Sequence, residues 1–385
     1  MHLTREEERI YEGEEGWTLK KAMDILVAIG DINNAAELIP IKSAHISGVS
    51  YKTIGEAFEF IRSLKGRVKV KSTLNPTGVD IERWNVLEIS EQFVKKQKEV
   101  LEAYKKLGIS TDCTCVPYLI GHVPEKGEHI AWAESSAVLY ANSVLGARTN
   151  MEGAPSALAA ALIGKTPFYG LHQPENRAPE IRVFATCDLA DADYGALGFL
   201  IGELVGNKIP LIELPPLHGK DELKHLSAAI GATGSIGMYH LKGITPEARE
   251  LPVEKIEIEK GDITKFYVGT ERADVIAIGC PHCSSLELQH IYELLLVESK
   301  GRKVKTDFFI FTARAIKQRM QDVVRKIENF GVRVICDTCF VVSPAFERYK
   351  CVLTNSGKMM RYVPLLCGGA EVKLCKTEEC VRTAF

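Results

Sequence analysis

The sequence predicts an α/β protein with parallel or mixed sheets flanked by helices, and three observations predict it. Apolar residues recur by turns at helical and at strand spacing through the first half of the chain. The last third reads as β-α-β-α-β, which implies a parallel sheet with helical crossovers. The 385 residues suffice for about two to three domains.

Taken in order, Thr4 and Glu7 have capping-box spacing, and Thr18 opens a helix through Ala28. Glu37 to Ile46 is strand-like and ends in the turn Ser47-Gly48-Val49-Ser50. Ile54, Ala57, Phe58, Ile61 and Leu64 follow at helical spacing, with Gly66 as the stop. Arg67 to Ser72 alternates as a strand and runs into the loop Asn75-Pro76-Thr77-Gly78. Ser90 caps a helix with Phe93, Val100, Tyr104 and Leu107 on one face, stopped by Gly108. The Cys113-Thr114-Cys115-Val116-Pro117-Tyr118 segment reads as a strand end entering a loop. His129 to Leu145, rich in Ala and nearly uncharged, reads as a buried helix. Ala190 to Leu241 is helical and Gly-rich, and the charged, alternating stretch from Arg249 to Lys265 reads as a crossing between domains. The expected divisions are 1–189, 190–265 and 266–385.

In the last third, Ala273 to Gly279 is a short apolar strand before Cys280-Pro281-His282-Cys283. A helix spans Ser285 to Val297, a strand Asp307 to Phe311, and Thr312 caps a helix to Phe330. Val332 to Ile335 is the next strand, before Cys336-Asp337-Thr338-Cys339. Both Cys-rich loops leave the carboxyl ends of strands, where open α/β sheets build their sites.

Composition excludes several function classes. With 48 Lys+Arg against 50 Asp+Glu, there is no basic excess to attract nucleic acid. No apolar run approaches the ~20 residues of a membrane span, and Met1 to Glu8 is too acidic and polar for a signal peptide. A cytoplasmic protein is expected. Its 11 cysteines, an odd number, do not read as a secreted disulfide framework. Eight of them fall between Cys280 and Cys380, a concentration that suits a metal or a cluster.

Three chemistries compete for these thiols. Cys280/Cys283 with Cys336/Cys339 have the form of a Cys₄ zinc site, but a full α/β/α unit between the pairs exceeds zinc-ribbon spacing. A thioredoxin-like redox pair leaves the third thiol loop unexplained. An iron–sulfur cubane on one cysteine from each of three loops keeps one iron open as a Lewis acid. Spacing alone does not choose between Cys113 and Cys115, Cys280 and Cys283, or Cys336 and Cys339.

At these loops the sequence resembles the aconitase X family. The matching segments are Cys115-Val116-Pro117-Tyr118, Gly127 to Ser135, Ala141 to Asn150 and Tyr169-Gly170-Leu171-His172. Further on are Gly279-Cys280-Pro281-His282, Asp337-Thr338-Cys339 and Thr354-Asn355-Ser356-Gly357-Lys358. They extend over most of the chain in the family's order. The resemblance implies an aconitase-like multi-domain fold around a central [4Fe–4S] cluster, with Cys115, Cys280 and Cys339 as its ligands. It also implies that Cys113, Cys283 and Cys336 are neighbours.

The activity it implies is a hydro-lyase, an iron–sulfur dehydratase acting on a 3-hydroxy acid. In the archaeal split form, (R)-5-phosphomevalonate loses water to give trans-anhydromevalonate 5-phosphate, within a modified mevalonate pathway to isoprenoids. The alternatives are the family's cis-3-hydroxy-L-proline dehydratase activity and a zinc-stabilised, non-enzymatic scaffold. Because the chain stops at Phe385, a separate small subunit carrying the swivelling domain is expected, in a heterodimer or higher assembly. The base, a serine in the superfamily, is expected on that partner, with Ser356 ranked below it.

Candidate substrate contacts are Gly48, Val49 and Ser50, a turn able to aim backbone N–H groups at an anion, and Asn75 and Pro76 after the next strand. Lys358 is a candidate counter-charge. Glu134 and Ser135 are expected on an otherwise apolar helix, where a carboxylate needs a partner. His129, His172, His282 and Arg148 accompany the matching motifs without an assigned role.

Overall fold

In a computed structural model, residues 1–216, 219–249, 254–267, 269 and 273–385 are described. Residues 250–253 of the expected inter-domain crossing lie outside the described residues. Parallel sheets dominate, as expected. A three-stranded parallel sheet runs in the order Lys71–Leu74, Ser43–Ile46, Ala131–Trp132. A four-stranded parallel sheet runs His240–Leu241, Pro210–Glu213, Ile181–Ala185, Lys255–Ile258. A five-stranded parallel sheet runs Arg333–Ile335, Asp307–Thr312, Val275–Cys283, Cys351–Thr354, Glu371–Leu374. One antiparallel pair, Leu38–Pro40 with Lys165–Pro167, closes the first region.

Local signals placed most elements. Thr4 and Glu7 form a reciprocal capping box for the helix Arg5–Glu12. Ser90 accepts from the Phe93 N–H at the start of Glu91–Lys106, and Ser284 caps Ser285–Ser299 in the same way. The β-α-β-α-β reading of the last third holds. Its strand Val275–Cys283 is buried at every position, as the centre of a parallel sheet covered on both faces requires.

Elsewhere tertiary pairing overrode the pattern. The expected helix from His129 forms only from Ser135, because Ala131 and Trp132 pair in parallel with Ala44 and His45. An apolar run looks alike as buried strand and buried helix. From Tyr140 to Leu145 this helix widens to π geometry before Gly146. The strand expected over Arg67–Ser72 pairs at Lys71–Leu74. The helix expected between Ile54 and Gly66 is three short pieces, broken at Gly55 and ending at Ser63.

Thr312 is not a cap. Its hydroxyl donates to the Cys283 carbonyl, and the helix that follows is broken at Met320. The strand Ile181–Ala185 lies ahead of the expected division at residue 190, yet it pairs with Pro210–Glu213 and Lys255–Ile258. The middle sheet therefore begins before that division. No helix among the described residues is long and apolar enough to cross a membrane.

Candidate active site

Three segments each deliver a cysteine to one cavity of about 250 Å³. Cys115 follows the parallel bridge of Leu74 with Cys113 and precedes the helical turn Pro117–Ile120. Cys280 follows Gly279, whose φ is +106° and where a Cβ would lie 2.2 Å from the Phe311 carbonyl oxygen. Only glycine lets the strand pass there. Cys339 closes a loop in which Asp337 is left-handed, at φ 62°. Arg314 clamps that residue: its Nε donates to both Asp337 oxygens (3.2 and 3.1 Å), and its Nη2 reaches Asp80 at 2.8 Å. Asp80 in turn accepts the Cys336 N–H at 2.9 Å, and Thr77 N–H donates to the Asp337 carbonyl at 2.7 Å. The Asn75-Pro76 loop and the Cys339 loop are thereby locked together.

His282 ties the three cysteine loops to one another. Its backbone N–H points at the Cys115 sulfur at 3.3 Å, its Nδ1 lies 3.0 Å from the Thr114 hydroxyl, and its Nε2 lies 2.9 Å from the Thr338 carbonyl. A carbonyl only accepts, so Nε2 carries the proton and Nδ1 accepts from Thr114. Burial pushes the ring's pKa down to about 4, so it is neutral at physiological pH. Lys224, fully buried and ion-paired with Glu287, donates to the His282 carbonyl at 3.2 Å.

A buried ion pair forms the opposite wall. Lys358 Nζ contacts Glu134 Oε1, which also accepts from Ser136 Oγ at 2.9 Å, and Asn75 Nδ2 donates to Glu134 Oε2 at 2.6 Å. Burial alone would raise the Glu134 carboxyl, but the Lys358 charge overrides it and holds the group at about 2. Lys358 stands in the first turn of the helix Gly357–Leu366, and Ser356 accepts from the Met359 N–H at 3.2 Å to cap it. A Cβ on Gly357 would lie 2.1 Å from the Gly195 carbonyl oxygen, which accounts for the glycine of Asn355-Ser356-Gly357-Lys358.

Asn75, Pro76, Cys115, Glu134, Ser135, Cys280, Cys339 and Lys358 all line this cavity. The Gly48-Val49-Ser50 turn is not among the lining residues. Its Ser50 hydroxyl is spent on the carbonyl of Val342, itself a lining residue, at 2.6 Å. Ser356 is committed as a cap and donates to the Cys280 carbonyl, which leaves it poorly placed as a base. Cys113 and Cys283 pack into apolar cores, and Cys336 lies buried beside Asp80. His129 and His172 face each other at 3.0 Å (Nδ1 to Nδ1) and do not line the cavity. Arg148 Nε is buried with no hydrogen-bond partner among the described residues.

Sequence reasoning missed Glu152 and Tyr362. Burial raises the Glu152 carboxyl against the opposing pull of Ser156 and Thr166, whose hydroxyl donates to it at 3.3 Å. Its signal was its place just after the Ala141–Asn150 motif. Tyr362 follows Lys358 by one helical turn, and the ammonium lies 5.6 Å from its ring centroid.

The donor set fits a thiolate-held group. Burial raises all three thiols, Cys280 to about 12, but compensating donors surround them. The His282 N–H faces Cys115, the N–H groups of Val341 and Val342 face Cys339, and the Lys358 charge acts on all three. Among the described residues no group of three or more His, Cys, Asp or Glu closes on a single metal ion.

Family comparison decides the lineage. The chain matches the aconitase X first domain over residues 1–175, the second over 179–268 and the third over 273–385. The chain belongs to the aconitase X family. It is 51% identical to the phosphomevalonate dehydratase large subunit of Methanosarcina mazei, over 100% of this chain and 97% of that one. The crystal structure of Thermococcus kodakaraensis aconitase X in its holo-form superposes with a TM-score of 0.92, at 44% identity and full coverage of both chains. The chain is also similar to the cis-3-hydroxy-L-proline dehydratase of Hypocrea jecorina, at 32% identity over 96% of this chain but 66% of that one.

Proposed function

We propose that this chain is the large subunit of a hydro-lyase that dehydrates (R)-5-phosphomevalonate to trans-anhydromevalonate 5-phosphate in a modified mevalonate pathway. The observation that carries the reading is the 51% full-length identity to a phosphomevalonate dehydratase large subunit, joined to a cavity that gathers three cysteines, Glu134 and Lys358. Cys115, Cys280 and Cys339 hold a [4Fe–4S] cluster in this proposal. When bound, the cluster supplies a Lewis acid that makes the 3-hydroxyl a better leaving group.

The chain's own residues bind and orient. Lys358 has three donors, of which Glu134 and Ser136 take two, so one remains for a substrate oxygen. Asn75, Pro76, Glu134 and Ser135 form the wall beside it. The Gly48-Val49-Ser50 turn is the proposed anion end. Among the described residues no protein acceptor faces its three backbone N–H groups. The C2 proton leaves to a base, assigned to a serine on a small subunit that carries the swivelling domain. Support for that partner comes from the relatives named large subunits and from the longer cis-3-hydroxy-L-proline dehydratases. We assign the complex to the cytoplasm, in keeping with eleven free cysteines.

The test is anaerobic assay of the co-purified complex on both substrates. Turnover of (R)-5-phosphomevalonate supports the reading, and turnover of cis-3-hydroxy-L-proline alone overturns it. Iron and acid-labile sulfide are expected in the purified protein and lost on replacing Cys115, Cys280 or Cys339 singly by Ala. Zinc without iron or sulfide refutes the cluster.

A further inference from the structure

We infer that His45 is a positioning residue that holds the Asn75 amide in one orientation toward the substrate cavity, through a proton chain set by Glu134. The inference rests on the proposed role of Asn75 as a substrate contact.

The argument begins at the charge. Glu134 is ionised, so its Oε2, 2.6 Å from the Asn75 amide, must face the Nδ2–H of that amide. Asn75 Oδ1 is therefore turned the other way, where it is buried with no partner in good hydrogen-bond geometry. His45 Nε2 is buried in the same condition, and the strand register that sets His45 opposite Thr73 puts Asn75, two residues on, on the same face. The Asn75 oxygen only accepts, so a ring that serves it carries its proton on Nε2.

The consequence propagates. His45 Nδ1, 2.8 Å from the Thr73 hydroxyl, must accept, and Thr73 must donate to it. The same hydroxyl lies 2.8 Å from His122 Nδ1, and with its proton already used it can only accept there. His122 is thus protonated on Nδ1, which leaves the lone pair on its Nε2. Burial keeps both rings neutral, with pKa values of about 4 for His45 and about 3 for His122. Trp132 packs against both, at 5.8 and 5.2 Å between ring centroids. One ionised carboxylate thereby determines two opposite histidine tautomers and one amide rotamer. His45 and Thr73 lie on the paired strands Ser43–Ile46 and Lys71–Leu74, Asn75 and Glu134 come just after Leu74 and Trp132, and His122 follows the turn Pro117–Ile120.

Two measurements test this. Nitrogen NMR of the full chain labelled at its histidines, with His45 assigned by its loss in H45Q, reads the tautomers directly. Nε2–H on His45 and Nδ1–H on His122 at pH 7 are expected, whereas Nδ1–H on His45 overturns the proposal. In the complex with its small subunit, His45→Asn keeps an amide near the Nδ1 position but withdraws the donor from Asn75. Its kcat/KM should fall roughly tenfold to a hundredfold. His45→Gln, whose amide reaches the Nε2 position, should recover most of that loss at the same Tm. Equal activity of wild type and H45N overturns the proposal, as does an equal loss in both variants. If the wild-type complex leaves (R)-5-phosphomevalonate untouched, the functional reading fails while the tautomer measurement still decides the role of His45.

Discussion

Glu134 and Lys358 are each buried in the cavity wall, and neither is tolerable there without the other. Removing one partner of such a pair costs about 3–5 kcal/mol, because the remaining charge stays buried. Lys358→Met should therefore lower unfolding stability by roughly that amount in urea titrations, and abolish turnover. The pair also gives a pH signature. The folded Glu134 carboxyl sits at about 2 against an ordinary 4.5, and a depressed folded value stabilises above the unfolded one. The stability difference between wild type and Glu134→Gln should be complete above pH 4.5 and shrink as pH falls toward 2. A difference that stays flat over that range would contradict the assignment. At this scale Glu134 was legible because a carboxylate in an apolar run needs a partner, whereas Lys358 was raised only by its place in the matching motif. That they partner each other was not, because over 200 positions of chain separate them.

Several elements are shaped by single residues that exclude alternatives. A methyl on Gly357 would collide with the Gly195 backbone and push away the helix turn that carries Lys358. Gly357→Ala should cost about 1–3 kcal/mol and depress activity by more than its loss of stability explains, read by thermal melts beside kinetics. Arg314 holds the Cys339 loop through Asp337 and Asp80, both buried. Arg314→Ala should destabilise the fold by about 3 kcal/mol and reduce cluster retention, measured as iron and sulfide per chain. Capped helices such as Glu91–Lys106 and Ser285–Ser299 were legible because their signals are local. The strand Ala131–Trp132 was not, because its partner Ala44–His45 lies far away in sequence.

Across the whole molecule the proposed cluster joins distant parts of the chain. Cys115 comes from the region matched as the first domain, and Cys280 and Cys339 come from the third. A group binding only the folded arrangement stabilises it by mass action. Anaerobic loading with iron and sulfide should raise Tm by about 5 °C or more, and oxidative loss should reverse it. Unchanged melting on loading would argue against a cluster shared between the two regions.

The sequence by itself determined the α/β class, the β-α-β-α-β order of the last third and the loops that carry the thiols. These rest on periodicity and on turn and cap residues, which act over a few positions. Resemblance of motifs then singled out Cys115, Cys280 and Cys339. Only the tertiary structure decided that the three cysteines line one cavity with Glu134 and Lys358, and that His282 knits their loops. Those contacts depend on parallel strands bringing their carboxyl ends together, and strand pairing is a long-range choice that local pattern does not encode.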